Sequence, residues 1–272
     1  MVKIVEIFPK SVISKSGIYS IDYSINPYIG CQHGCAYCYA RFMKKYINTQ
    51  EEWGNFVFVK VNAPTLVAKE LKRVPQNSTV LLSSVCDPYQ PMEKKYELTR
   101  KILEVLLKRR DLYIYILTKS DLVLRDINVL KEFPKLEVGF TIVFIDEKLK
   151  DIFEPGAPPI KRRLDAMRIL LEEGIRTYLF IAPMLPYITE NYLENLIDFA
   201  NKNKVAYVFF DTLNIKAGNW KTIKQALEKF DSSLIKKYED ILFSRNSSYY
   251  RALKNKTIQL CNKFRVDCNF AF

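Results

Sequence analysis

A single histidine, His33, occurs in 272 residues. Ser-His-Asp and Cys-His catalysis, and zinc sites built on two or more histidines, therefore lose their raw material unless His33 itself serves them. No uncharged apolar run approaches the roughly 18 residues that a membrane span needs. The start, MVKIVEIFPKSV, alternates apolar and charged residues and reads as neither a signal peptide nor an anchor. A soluble, cytoplasmic protein with no membrane partner is expected. Internal repeats of fixed period, low-complexity stretches and long linkers are missing too. Cysteine is sparse: Cys31, Cys35, Cys38, Cys86, Cys261 and Cys268 are too few for a disulfide scaffold. With thiols at hand and almost no imidazole, thiolate metal chemistry in a reducing compartment becomes the default question.

What is present has a globular balance, 49% hydrophobic and 26% charged, which excludes wholesale disorder. The length admits one or two domains, or one α/β barrel. Apolar strand-like runs alternate with helical patterns. The strands are expected near Ser20–Ile29 and at Phe56–Val61, Thr79–Ser84, Asp111–Thr118, Leu136–Val143, Ile175–Ala182 and Val205–Phe210. Helices are expected at Pro64–Arg73, Glu93–Arg109, Asp121–Phe133, Ile160–Glu173 and Tyr192–Asn201, with Gly174 as a stop. Buried-type strands separated by helices indicate a parallel sheet of βαβ units. About six such units fit a full or partial barrel, whose chemistry gathers at the C-terminal ends of the strands. The loop Glu154–Pro159 (EPGAPP) could border that face.

The most informative segment is Asn26–Arg41, NPYIGCQHGCAYCYAR, with Cys31, Cys35 and Cys38 at C-x3-C-x2-C. Three soft thiolates on one short loop suit an iron–sulfur cluster. A four-iron cluster held by three local ligands keeps one iron open, as a catalytic rather than structural site does. Gly30 and Gly34 let the loop wrap tightly. A zinc or redox loop is the alternative. It needs a fourth ligand, either His33 or one of Cys86, Cys261 and Cys268 at long range.

Cys31, Cys35, Tyr37 and Cys38 match the C-x3-C-x-aromatic-C signature of radical S-adenosylmethionine (radical SAM) enzymes, which the chain resembles from about Ser20 to about Pro183. CAYCYAR, SSVCDPYQPMEKKYELTR and LTKS are more narrowly similar to the branch that contains spore photoproduct lyase. The resemblance implies a partial (β/α)6-type barrel holding one [4Fe–4S] cluster on those three cysteines, with S-adenosylmethionine on the open iron. It implies reductive cleavage of S-adenosylmethionine to methionine and a 5′-deoxyadenosyl radical, with an electron from an external donor such as ferredoxin or flavodoxin. It places Tyr37 and Tyr39 against S-adenosylmethionine or the substrate-facing wall. Lys119, Ser120 and Thr141 fall at strand ends near the same ligand, and a lysine there can pair with the methionyl carboxylate. In the lyase a cysteine in the region of Cys86 returns a hydrogen atom to the product radical; a small buried hydrophobe is the other reading of Cys86. Asp87 reads as a polar rim residue, and Tyr89, Gln90 and Glu93 as substrate-binding or helix-capping groups. His33 reads as a surface loop side chain or as a hydrogen bond that tunes the cluster. The lyase's N-terminal extension and its lesion-binding residues have no match here.

The formal charge is +12, and residues 216–272 carry 12 Lys and Arg against 5 Asp and Glu. Barrel residues 1–215 are thus expected to carry a helical, basic C-terminal extension at 216–272 packed on the barrel. In that extension Arg245, Arg251, Lys254, Lys256, Lys263 and Arg265 are interleaved with Phe243, Tyr249, Tyr250 and Phe264, a pattern able to grip phosphates and stacked bases. Lysine-rich surfaces equally suit heat-adapted chains. Cys261 and Cys268, seven apart, are expected in core packing or an incidental disulfide. The preferred function is radical SAM chemistry on a nucleic acid or nucleotide. The alternatives are the same chemistry on a protein, peptide or small metabolite, and a metal-stabilised nucleic-acid-binding module without turnover.

Overall fold

The computed structural model describes residues 2–216, 218–243 and 248–272. In chain order, β1 (Lys3–Ile7), β2 (Ile13–Lys15), β3 (Tyr23–Ile25) and β4 (Tyr28–Ile29) come first. A 3-10 helix (Tyr39–Tyr46) leads to β5 (Phe56–Lys60), α1 (Ala63–Glu70), β6 (Thr79–Leu82), α2 (Glu93–Tyr96), α3 (Leu98–Leu106) and β7 (Tyr113–Thr118). Next are α4 (Ile127–Leu130), β8 (Leu136–Thr141), α5 (Glu147–Phe153), α6 (Ile160–Glu172), β9 (Thr177–Met184), α7 (Leu193–Lys202) and β10 (Val208–Thr212). The chain ends with α8 (Asn219–Phe230), α9 (Leu234–Phe243), α10 (Ser248–Phe264) and β11 (Cys268–Phe270).

One eight-stranded sheet runs in the order β2-β3-β6-β7-β8-β9-β10-β11. Every neighbouring pair is parallel except β2 with β3. Its two edges do not pair with each other among the described residues, so the barrel is partial and open. The parallel strands are apolar on both faces because helices cover the outside. Val138, Phe140, Leu179, Ile181, Val208 and Phe210 are all fully buried. The α3 stripe of Leu98, Ile102, Leu103 and Leu106 is buried at the spacing its sequence announces.

Three elements depart from the sequence reading. Phe56–Val61 has the composition of a barrel strand, but β5 lies in a separate sheet of order β1-β5-β4, with β1 parallel and β4 antiparallel to it. Its burial comes from that small sheet, and periodicity carries no information about which sheet a strand joins. Glu93–Arg109 is two helices, not one. Glu97 takes a left-handed φ of 53°, and the Glu93 carboxylate accepts from the amides of Thr99 and Arg100 at the start of α3. It does the work of a cap there. Asp121–Phe133 begins as a 3-10 turn over Asp121–Asp126 and becomes α-helical only in α4.

In the C-terminal segment the short apolar tail becomes β11, which extends the main sheet beside β10, with Phe270 stacked on Phe210 at 5.0 Å. A disulfide joins Cys261 in α10 to Cys268 in β11. Tyr249 and Tyr250, read from sequence as base-stacking rings, are occupied internally. Tyr249 accepts from the Tyr187 amide at 2.7 Å, and Tyr250 accepts from the Leu213 amide and donates to the Met184 carbonyl, both at 3.1 Å. Phe264 packs half-buried against the core and Phe243 meets Trp220 edge-on. Arg245 lies outside the described residues.

Candidate metal centre

The cysteine loop leaves β4 at the C-terminal rim of the sheet, where the loops after β6, β7 and β8 also end. Its path is fixed by close backbone contacts. Gly30 adopts φ 91°, and a Cβ there would stand 2.4 Å from the Phe56 carbonyl oxygen. Gly156, in the EPGAPP loop, approaches so closely that its Cβ would meet the Gln32 carbonyl oxygen at 2.0 Å. The Gly156 amide donates to the His33 carbonyl at 3.0 Å, and the Ala36 amide to that of Phe153 at 2.8 Å. These contacts place EPGAPP against the site.

Gln90 holds the loop from a third side. It is fully buried, its Nε2 donates to the Gly30 carbonyl at 3.1 Å, and its Oε1 accepts from the Gln32 amide at 3.0 Å. α8 holds it from a fourth: Asn219 Nδ2 donates to the Tyr37 carbonyl at 3.1 Å and Thr222 Oγ1 to the Ala36 carbonyl at 2.6 Å. The loop is therefore clamped between segments more than 180 residues apart in sequence.

Cys31, Cys35 and Cys38 are free thiols on this loop, the first two buried and the third half-buried. Burial pushes the Cys31 thiol well above its ordinary range, and Asp87 and the other two cysteines add to it. Cys35 is pushed up to about 12 by burial, partly offset by the cations of Lys119 and Arg163. Three dehydrated thiols that repel one another as anions suit a cationic centre between them, which they would bind with release of protons. Among the described residues no three His, Cys, Asp or Glu side chains close on one point as a single metal ion requires. Cysteines on separate irons of a cluster need no such common point. The donor set thus fits a cluster better than the zinc alternative.

Asp87, in the loop after β6, organises the surrounding wall. It accepts from the Tyr89 amide at 2.9 Å, from Thr118 Oγ1 at 2.6 Å and from the Lys119 amide at 2.8 Å, and it faces His33 Nδ1 at 3.4 Å. Burial alone would raise its carboxyl; His33 and these hydrogen bonds outweigh that and bring it to about 2. His33 is not a surface side chain: it is 1% exposed, and its Nε2 is buried without a protein partner.

Behind the loop lies an ion pair that sequence reading missed. Glu154 and Arg163 are fully buried and paired, and the Tyr37 hydroxyl donates to the same carboxylate. Burial pushes Glu154 up, and Arg163 and Lys119 more than reverse it. The signal available was Arg163 itself, three residues after Ile160 on the buried face of α6. Lys119 is half-buried, its ammonium 5.7 Å from the Tyr37 ring centroid, with no carboxylate at ion-pair distance among the described residues. Burial lowers its pKa, but Cys35, Glu154 and Asp87 together hold it raised, so it stays charged.

Thr141 is buried at the end of β8, where its carbonyl accepts from Arg163 at 3.4 Å. Ser120 is buried too, but its hydroxyl accepts from the Leu122 amide at 3.2 Å as a turn cap. Tyr39 is 40% exposed and its hydroxyl donates to the Ser84 carbonyl. Cys86 is half-buried and packs on the patch that contains Ile29, Cys31 and Phe58. Tyr89 is fully buried.

The radical SAM superfamily model matches residues 25–200, a span that contains the cysteine loop and the strands β4 to β9. An uncharacterized protein of Methanocaldococcus jannaschii is 42% identical over 217 residues, 79% of this chain and 80% of its own. Among solved structures, spore photoproduct lyase complexed with dinucleoside spore photoproduct superposes with TM-score 0.77 at 16% identity, covering 99% of this chain and 82% of the lyase. Streptococcus suis SuiB bound to S-adenosylmethionine superposes with TM-score 0.61 at 14% identity, covering 91% of this chain and 49% of SuiB. An open parallel half-barrel with three free thiols on the loop at its rim, and a family match over that whole region, lead to one conclusion: the chain belongs to the radical SAM superfamily, as an enzyme whose cofactors are a [4Fe–4S] cluster and S-adenosylmethionine.

Proposed function

We propose that Cys31, Cys35 and Cys38 each ligate one iron of the cluster and leave the fourth for S-adenosylmethionine, and that the enzyme acts on a nucleic acid or nucleotide. The observation that carries the ligand assignment is that three free thiols, two buried and one half-buried, share one clamped loop. Bound there, the two cofactors supply a 5′-deoxyadenosyl radical, given an electron from an external donor such as ferredoxin or flavodoxin.

The remaining residues bind, orient and exclude water. Lys119 offers a charged ammonium without a carboxylate partner at the mouth of the site, matched to the methionyl carboxylate of S-adenosylmethionine. Thr141 at the end of β8 completes the wall beside it, with Ser120 contributing as the cap that fixes the turn after Lys119. Tyr37 is locked by Glu154 beneath Lys119, so the lysine's position rests on a rigid ring. Tyr39 spans the rim toward Ser84 on the substrate side. Cys86 is held as a thiol: burial pushes it up to about 11, against opposing effects of Ser83 and Lys60. A protonated thiol is the form able to give a hydrogen atom, which makes Cys86 the chain's donor in this reading.

The substrate class is supported by the net charge of +12 and by the depth of the fold likeness. That likeness is greater to the lyase, solved with a dinucleoside, than to SuiB, solved with its precursor peptide. The test is anaerobic reconstitution followed by reduction with dithionite, with deuterated RNA or DNA supplied. Label appearing in 5′-deoxyadenosine supports the reading. 5′-Deoxyadenosine that forms but carries label only from peptides or small metabolites moves the enzyme to another substrate class. A protein that never takes up iron refutes the ligand assignment.

A further inference from the structure

Beyond Tyr39, the segment that follows Cys38 has no role in the site described above and has a distinct surface. Tyr39–Tyr46 (YARFMKKY) is a 3-10 helix, in which residues three apart eclipse one another. One row is Ala40, Met43 and Tyr46: its first two residues pack inward on the patch formed by Cys31, Trp53 and Phe58, and its last runs past that patch into the open. The second row is Tyr39, Phe42 and Lys45; the third is Arg41 and Lys44. The two outer rows therefore set aromatic rings beside cations. Tyr46 closes the helix at 63% exposure, with the Lys45 ammonium 4.8 Å from its ring centroid and 5.7 Å from that of Phe42. No Asp or Glu occurs from Tyr39 to Gln50. The strip is fastened to the cysteine loop, because Arg41 donates to the Cys35 carbonyl at 3.0 Å. At a rise of about 2 Å per residue it is roughly 14 Å long.

Exposed rings scattered singly need no explanation. Here two exposed rings, Tyr39 and Tyr46, and the half-buried Phe42 sit on one short helix interleaved with positive charge. Of the C-terminal aromatics that sequence reading assigned to base stacking, Tyr249, Tyr250 and Phe264 are occupied internally, which leaves Phe243, 56% exposed and edge-on to Trp220, as the one outward ring of that set. Stacking surfaces beside a cationic track are the means by which single strands are held without sequence readout. We propose that Tyr39–Tyr46 is the docking strip for a single-stranded nucleic acid, with Phe42 and Tyr46 stacking bases and Lys44 and Lys45 meeting phosphates, so that the strand is led toward the cluster. The inference rests on the nucleic-acid reading of the substrate and gives it a surface.

The experiment measures fluorescence anisotropy of a labelled single-stranded oligonucleotide of about 15 nucleotides, as DNA and as RNA, on the full reconstituted protein. Tyr46→Ala is expected to weaken binding roughly ten-fold or more, and Tyr46→Phe, which keeps the ring, to bind within about two-fold of wild type. The pair Lys44→Glu and Lys45→Glu is expected to flatten the slope of log affinity against log salt by at least about 1.4. Iron content after reconstitution reports that the cysteine loop keeps its fold in each variant. Wild-type binding with all variants unchanged overturns the strip and leaves the substrate reading standing. Preference for duplex over single strand also overturns it. A wild-type protein that binds neither DNA nor RNA refutes the substrate reading, and the strip with it.

Discussion

Gln90 is the sharpest point at which to test whether the cysteine loop is held by tertiary hydrogen bonds. It contacts no thiol, yet its amide satisfies the Gly30 carbonyl and the Gln32 amide, which bracket Cys31. Gln90→Ala leaves both backbone groups without their partner in a buried place. An unmade buried hydrogen bond costs about 1–3 kcal/mol, so the two together cost about 2–5 kcal/mol once water entering the vacated space is allowed for. For a chain of this size each kcal/mol lowers Tm by about 2–4 °C, which gives a drop of roughly 5–15 °C. Gln90→Glu separates the two bonds. It keeps an acceptor for Gln32 but turns a carboxylate toward the Gly30 carbonyl, so it should be no better than alanine. The assay is thermal melting of the apoprotein by circular dichroism, with iron content after anaerobic reconstitution as the second readout. Both variants should melt low and load less iron. If Gln90→Ala melts within about 2 °C of wild type, as a surface substitution does, and loads iron fully, the clamp is not what shapes the loop.

Three further outcomes follow from the same contacts. Asp87 has its carboxyl brought from the usual 3.8 to about 2, so its stabilisation, about 2 kcal/mol, is fully present above pH 4–5 and is lost as pH falls toward 2. In urea unfolding of the apoprotein, the stability gap between wild type and Asp87→Asn should shrink by roughly half between pH 6 and pH 3, and a constant gap contradicts the assignment. Glu154→Gln leaves the Arg163 guanidinium buried beside a neutral amide and should cost about 3–5 kcal/mol, while a double substitution of Glu154 and Arg163 by apolar residues should recover part of it; equal losses in both rule out a charge penalty. The Cys261–Cys268 bond predicts that denatured, unreduced apoprotein is alkylated at four cysteines and reduced protein at six; six in both says the bond does not form.

The alternation of apolar runs with helical patterns was enough to reach a parallel, barrel-type sheet, the cysteine spacing and the single histidine pointed to a thiolate metal loop, and the resemblance carried by its motifs implied the partial barrel and the cluster chemistry. Each is a local property: three thiols within eight residues share a loop in any fold, and two-sided apolar strands demand covering helices. Contacts between distant segments were not legible. Nothing in FVFVKV tells that β5 leaves the main sheet for β1 and β4, because a strand's partner is chosen by topology. Glu93 reads as a substrate-binding or helix-capping group, and only the fold decides for the cap, at the start of α3. His33 looks like a loop side chain until Asp87 is brought against it from the loop after β6. Tyr249 and Tyr250 look like free rings until the chain folds back and uses their hydroxyls.

The sequence by itself determined the donor set, three thiols on one short loop whose type and spacing suit an iron–sulfur cluster, and the motifs around them carried the resemblance that implies the radical chemistry. Only the tertiary structure decided how that loop is held and what surrounds it. Gln90, Glu154, Arg163, Asn219 and Thr222 act through hydrogen bonds and charges that exist only once segments far apart in the chain are packed together and water is removed from between them.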